Sequence, residues 1–294
     1  MNIGTCESAF LLASLHIERS DTESARALIE KYGKDGEKGY HRDFERLLKI
    51  ADKINESGRC HTTFDSFRGT PMSARYSKDG RFMVMPGLQH ECQIIDMQTG
   101  ENILGLYKSS GGLGHEGIVN DAAFACNDSI VITAGMDDRL FAWDISNKNI
   151  IAQFIGHTDE VYALDVMPDE RRMVSASADG SLKLWDIETG ECIRTFISST
   201  KRPWDVCAGP NGRYFLSSGK NCLEMWDTET GSLLKCFNGH KDSVLCIRIS
   251  RDGNYAVSGS IDKTIRLWDI AKGECIKTLT GAGGWIKSVD ISSD

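Results

Sequence analysis

Short runs in which apolar and polar residues alternate dominate the chain from about residue 65 onward. VYALDV, RRMVSA, SLKLWDI and ECIRTF, within residues 161–196, show the pattern, with PDE, SADG and ETG between them. Period two puts alternate side chains on opposite faces of an extended chain, so these runs predict half-buried strands joined by tight turns. Upstream the pattern changes. ESAFLLASLHIE, TESARALIEKYG and HRDFERLLKIADKINES carry apolar residues at three–four spacing, as at Phe44, Leu47, Leu48, Ala51 and Ile54. That spacing predicts helices within 6–57, with Ser20 and Asp21 as N-cap candidates and Gly33 as a stop. The expected organisation is a helical segment at 1–60 and an all-β region at 65–294. The helical segment reads either as a remnant of a helical-repeat array or as a linker bundle.

The strand pattern repeats. Trp-Asp followed by a turn recurs as AWDISNKN, LWDIETGE, MWDTETGS and LWDIAKGE, with Asp144, Asp186, Asp227 and Asp269 spaced 42, 41 and 42 residues apart. A weaker copy, IIDMQTGE, places Asp96 upstream with Ile95 in the tryptophan position. A second marker, Gly-His, places His115, His157 and His240 each 28 residues before its own tryptophan. Each period holds four strands. One such sheet cannot bury both faces alone and must stack on its neighbours, and radial stacking gives a propeller.

With these markers the chain resembles the WD-repeat β-propeller family over roughly residues 65–294. The resemblance implies a buried network in each intact blade: the Gly-His histidine, a Ser or Thr on the second strand, a turn aspartate and the tryptophan. The sets would be His115, Thr133, Asp137 and Trp143; His157, Ser175, Asp179 and Trp185; and His240, Ser258, Asp262 and Trp268. These groups can satisfy one another, because indole N–H donates, a hydroxyl and an imidazole do both, and a carboxylate accepts. The fourth copy departs from the pattern. Ser198 or Ser199 stands at the histidine position and Lys220 at the aspartate position, so that blade is expected to keep Trp226 and lose the network.

The markers set five blades, at about 71–107, 117–155, 159–197, 202–238 and 242–280. GWIKSVDISSD then resembles the start of another copy, the first strand of a sixth blade. Propellers of this family most often have seven blades, so the chain reads as a fragment of a longer ring. The alternative is a closed five-bladed ring with a spare strand.

Composition narrows the function. The net charge of -8, with no basic run, argues against a nucleic-acid or anionic-membrane partner. No run of 18 apolar residues marks a transmembrane helix. Ten cysteines without a CxxC, several on apolar strand-like segments, fit a reducing, cytoplasmic compartment. Cys60-His61 and His90-Glu91-Cys92 lack the further ligands a zinc site needs, and neither metal nor cofactor is expected. The Ser/Thr-His-Asp groups track the fold, and GxSxG, GxxxxGK[ST] and a GxGxxG following a strand are absent, so no catalytic residue is assigned.

Surface recognition remains. In the resembled family, one face of the disc binds peptides near the channel mouth. Mapped onto this chain, its positions are Met72, Ile118, Asn120, Met136, Glu160, Tyr162, Ala178, Arg202, Trp204, Ser243, Leu245, Ile261, Trp285 and Lys287. Tyr162, Arg202, Trp204 and Trp285 are of the types enriched in binding hot spots, although Tyr162 and Trp204 equally suit packing at a blade junction. The expected function is a non-enzymatic scaffold for protein or peptide partners, in a signalling setting. The first alternative is the recognition portion of a larger multidomain enzyme, such as a kinase or a nucleotide-dependent switch. Another is an enzyme with its active site in the channel.

Overall fold

The computed structural model of the protein describes residues 71–87, 92–106 and 114–291. The chain divides into two units, Met1–Thr63 and Phe64–Asp294, and every described residue lies in the second. The helical segment expected at 1–60 lies outside the described residues.

The described part is all-β. The first blade is β1 (Arg75–Tyr76), β2 (Phe82–Pro86), β3 (Cys92–Asp96) and β4 (Asn102–Leu106). The second is β5 (Val119–Ala125), β6 (Ile130–Gly135), β7 (Leu140–Asp144) and β8 (Asn149–Phe154). The third is β9 (Val161–Val166), β10 (Arg172–Ser177), β11 (Ser181–Asp186) and β12 (Cys192–Ile197). Each is a four-stranded antiparallel meander in chain order. The fourth and fifth share one strand. After β13 (Val206–Ala208), β14 (Tyr214–Ser218) and β15 (Lys220–Asp227) comes β16 (Leu233–Ile249), followed by β17 (Tyr255–Ser260), β18 (Ile265–Asp269) and β19 (Glu274–Leu279). The first part of β16 pairs with β15, as in Leu223↔Phe237, and its last part pairs with β17, as in Ile247↔Ser258.

The core lies between blades. Val84 and Ile94 pack with Phe141 and Trp143; Ile132 and Phe154 with Leu164 and Trp185; Val174 and Phe196 with Phe215 and Trp226; Leu216 and Phe237 with Ile247 and Trp268. A strand with a neighbouring blade on each side reads as a continuous apolar run, and β10 and β14 are buried along nearly their whole length. The outermost strands β12 and β19 have one protected edge and are mostly exposed or half-buried.

The Trp-Asp dipeptide does two local jobs. The ladder to the outermost strand slips by one residue at Ile95, Trp143, Trp185, Trp226 and Trp268, a bulge that re-aims the side chain into the gap between blades. The following aspartate caps the turn: Asp186 accepts from Thr189 N at 2.8 Å and Asp269 from Lys272 N at 2.9 Å. The same turns need a left-handed residue, which Gly190 supplies at φ 76° and Gly273 at φ 76°.

Residues 285–291, expected as the first strand of a sixth blade, form no strand. Ile286 N does donate to Ser260 O at 3.1 Å, as Val119 N donates to Gly87 O and Val244 N to Gly219 O. The segment therefore meets the preceding blade as an innermost strand would. An innermost strand gains its ladder from the second strand of its own blade, and among the described residues no strand pairs with this segment.

Candidate interaction face and its buried supports

Three blades hold a four-membered chain of hydrogen bonds. In the third, Trp185 Nε1 donates to Ser175 Oγ at 2.8 Å, Ser175 Oγ lies 2.7 Å from His157 Nε2, and His157 Nδ1 lies 2.8 Å from Asp179 Oδ2. The second has the same arrangement among Trp143, Thr133, His115 and Asp137, and the fifth among Trp268, Ser258, His240 and Asp262. The indole can only donate, so the hydroxyl accepts from it, and the carboxylate can only accept, so Nδ1–H donates to it, with the contact between hydroxyl and Nε2 joining the two halves. Burial, the largest influence on His240, lowers its pKa. Burial works against the charge of Asp179 and Asp262. Hydrogen bonds from His157 and Ser181 to the one, and from Thr264, the Lys241 N–H and His240 to the other, outweigh it and hold both carboxyls well below the usual range. Each aspartate also fixes the loop after its histidine, by accepting from Glu116 N, Thr158 N or Lys241 N.

The fourth blade keeps Trp226, whose Nε1 donates to Ser217 Oγ at 3.0 Å. Thr200 rather than Ser198 or Ser199 fills the histidine's place. A Cβ on Gly219 would strike Thr200, as one on Gly135 would strike His115. The hydrogen-bonded cluster is exchanged, not simply lost: Glu224, 1% exposed, accepts from Ser198 Oγ at 2.7 Å, from Ser199 N at 3.0 Å and from Ser199 Oγ. Ser198 and Thr200 hydroxyls lie 2.8 Å apart. The turn before β15 is one residue shorter than in its neighbours: Ser218 pairs with Leu223, five residues on, whereas Ala176 pairs with Leu182, six on.

The positions expected to form the binding face come together in pairs. Met136 N donates to Ile118 O, Ala178 N to Glu160 O and Ile261 N to Ser243 O. Asn120 is not a free contact group, since its Nδ2 donates to Val161 O at 2.9 Å and ties β5 to β9. Tyr162 and Trp204 stack with ring centroids 4.6 Å apart and planes 23° from parallel. Both are half-buried, Arg202 and Lys287 are exposed, and Trp285 is 60% exposed. Met72 is exposed and Leu245 half-buried.

The repeat geometry and the sequence comparison agree. Residues 108–144, 148–186, 190–227 and 231–269, more than half of the chain, match the family described as WD domain, G-beta repeat.

The chain belongs to the WD-repeat family.

Each complete match straddles two blades; 148–186 takes in β8 of one and β9 to β11 of the next. The chain is 25% identical to a CCR4-associated factor 4 homolog of Candida glabrata over 89% of its own length and 42% of that protein's. It is 31% identical to Autophagy-related protein 16 of Arabidopsis thaliana over 70% of its length and 31% of that protein's. It is 32% identical to a guanine nucleotide-binding protein subunit beta of Dictyostelium discoideum, over 76% of its length and 64% of that protein's. The chain thus spans less than half of the first two proteins.

Sequence reasoning missed a charged seam among the innermost strands of this WD-repeat protein. Arg75 bonds Asp121 at 2.9 Å and Asp165 at 2.8 Å, and reaches Leu164 O at 2.9 Å. Arg248 bonds Asp205 at 3.1 Å, and Asp205 also accepts from Ile247 N and Val206 N. Asp205, the leading influence, raises the Arg248 pKa. The signal available was a charge on an inward position of an otherwise apolar innermost strand. Beside this seam, burial pushes the thiols of Cys207 and Cys246 up to about 12, which suits cysteines that pack rather than react. The described cysteines form no disulfide. Among the described residues no group of three or more His, Cys, Asp or Glu side chains could hold a metal ion, and no helix is long and apolar enough to cross a membrane.

Proposed function

We propose that this WD-repeat chain is a non-catalytic interaction module that binds protein or peptide partners on the face carrying Tyr162, Trp204, Arg202 and Met136. The observation that carries this reading is the stacked Tyr162–Trp204 pair, two large aromatic groups held half-exposed above a network-braced framework. Pre-ordered loops lower the entropic cost of association, and Trp, Tyr and Arg dominate binding hot spots. The relatives support it: one is named a factor associated with CCR4, another a subunit of a guanine nucleotide-binding protein. In this reading the His-Ser/Thr-Asp-Trp sets brace the blades, Asn120 and Ile261 shape the face, and Trp285 extends it. The all-β unit is the functional domain, and a cytoplasmic, signalling setting fits the cysteine usage and the named relatives. The alternative, the recognition portion of a kinase or nucleotide-dependent switch, draws no support from these relatives. Affinity capture with the wild-type chain and with Trp204→Ala and Tyr162→Ala tests the reading. Partners should be lost with either substitution while the thermal unfolding profile is retained; unchanged partners on folded variants would remove this face from consideration.

A further inference from the structure

The irregular fourth blade opens a cleft of about 730 Å³ lined by the loop residues Ser199 to Arg202, Trp204, the turn Lys220 to Cys222, and Asn238 and Ser243 of β16. Its lining holds three cations, Lys201, Arg202 and Lys220, and no carboxylate. All three are exposed, and none has an ion-pair partner among the described residues. This is a concentrated positive site on a chain of net charge -8. The carboxylate beneath it, Glu224, is buried and turned to the Ser198 and Ser199 hydroxyls.

The neighbouring blades indicate what this place is built to hold. In each, an aspartate six residues before the tryptophan accepts the backbone N–H that follows the histidine: Asp137 from Glu116, Asp179 from Thr158, Asp262 from Lys241. In the fourth blade Lys220 stands six residues before Trp226, Thr200 fills the histidine's place, and the N–H of Lys201 has no acceptor among the described residues. The carboxylate present three times elsewhere is missing here. Three cations surround its place, and the Trp204 ring lies at one side.

We propose that this cleft takes the anionic side chain of a partner peptide, a phosphate or a carboxylate, which accepts from Lys201 N–H and lies between Lys201, Arg202 and Lys220. An anion there completes the blade in trans, and Trp204 covers an apolar residue flanking it. Charge-assisted bonds of this kind are stronger than neutral ones and make binding sensitive to salt. The inference rests on the interaction-module reading and names the chemistry of its partner.

The test uses the full chain and arrays of short peptides with randomised flanks around one of three fixed centres: serine, phosphoserine or paired glutamates. Retention on the phosphoserine or the glutamate array above the serine array is expected, and which of the two is favoured separates phosphate from carboxylate. Lys220→Glu and Arg202→Glu should each weaken retention about tenfold, and Lys220→Asp, which restores the carboxylate within the chain, should do the same. Lys220 and Arg202 are exposed, so thermal unfolding should be unchanged in all three. Equal retention on the three arrays, retention insensitive to Lys220→Glu, or no retention on any array would overturn the inference. Retention on the serine array that is lost with Trp204→Ala would leave the interaction face standing while the anionic cleft falls.

Discussion

The third and fourth blades have the same strand order and the same tryptophan between blades, yet they are braced by different chemistry. In the third, one hydroxyl, Ser175, relays between Trp185 and the His157–Asp179 pair, so the brace spans from the core to the loop at the blade's end. In the fourth, Ser217 serves Trp226 alone, and a separate cluster around Glu224 holds the loop. The comparison teaches that burial of the tryptophan between blades is what the fold requires. The polar chain attached to it is one of at least two ways to keep the neighbouring polar groups satisfied.

The largest test of that statement is truncation of the tryptophans. Trp185→Ala and Trp226→Ala should each lower stability by about 3–5 kcal/mol in denaturant titrations, because both are buried between blades. A cost confined to Trp185→Ala would break the comparison. Next is Glu224→Ala, which leaves the Ser198 and Ser199 hydroxyls without their buried acceptor and should cost about 2–3 kcal/mol. The serines separate the two designs further. Ser175→Ala deprives both an indole and an imidazole, at about 2–3 kcal/mol, whereas Ser217→Ala deprives one indole, at about 1 kcal/mol. Equal costs would show that the relay adds nothing to the separate bonds.

Acid gives the gentlest discrimination. The His240 pKa lies below its ordinary 6.5, so the unfolded chain takes up that proton first, and stability falls as pH drops from about 6.5 toward the folded-state value. The depressed carboxyls of Asp179 and Asp262 act in the same direction lower down. Their contribution is complete above the ordinary 3.8 and is lost as pH falls below that toward their folded-state values. The fourth blade has no imidazole in its brace. Amide exchange followed against pH should therefore show protection declining below about 6.5 in the fifth blade and not in the fourth. A uniform decline would mean that the network is not the acid-sensitive element.

Much of this was legible before any coordinates. The spacing of the Trp-Asp and Gly-His pairs carried the blade count, and the family resemblance built on those pairs implied the twelve network residues. It could do so because each residue type has one role in a repeated place. What was not legible follows equally from physics. A count from the tryptophan and a count from the preceding strand differ by one in the fourth blade, so the short turn left the histidine position ambiguous between Ser198 and Ser199. Only the contact of Thr200 against Gly219 resolves it. Glu224 reads as an ordinary polar residue of an alternating strand, and nothing local marks it as a buried acceptor. Arg75 reads the same way, although it spans from its own blade to Asp121 and to Asp165 beyond it.

The sequence by itself therefore determined the repeat and the strand pattern, and through them the family resemblance that implied the hydrogen-bond partners inside each intact blade. These depend on periods and spacings that one chain segment carries. The tertiary structure decided which charges meet among the innermost strands, how the fourth blade replaces its missing histidine and aspartate, and where three cations enclose a cleft. Those outcomes depend on groups far apart in sequence, from one blade or from several, arriving within a few ångströms, a distance that no local pattern encodes.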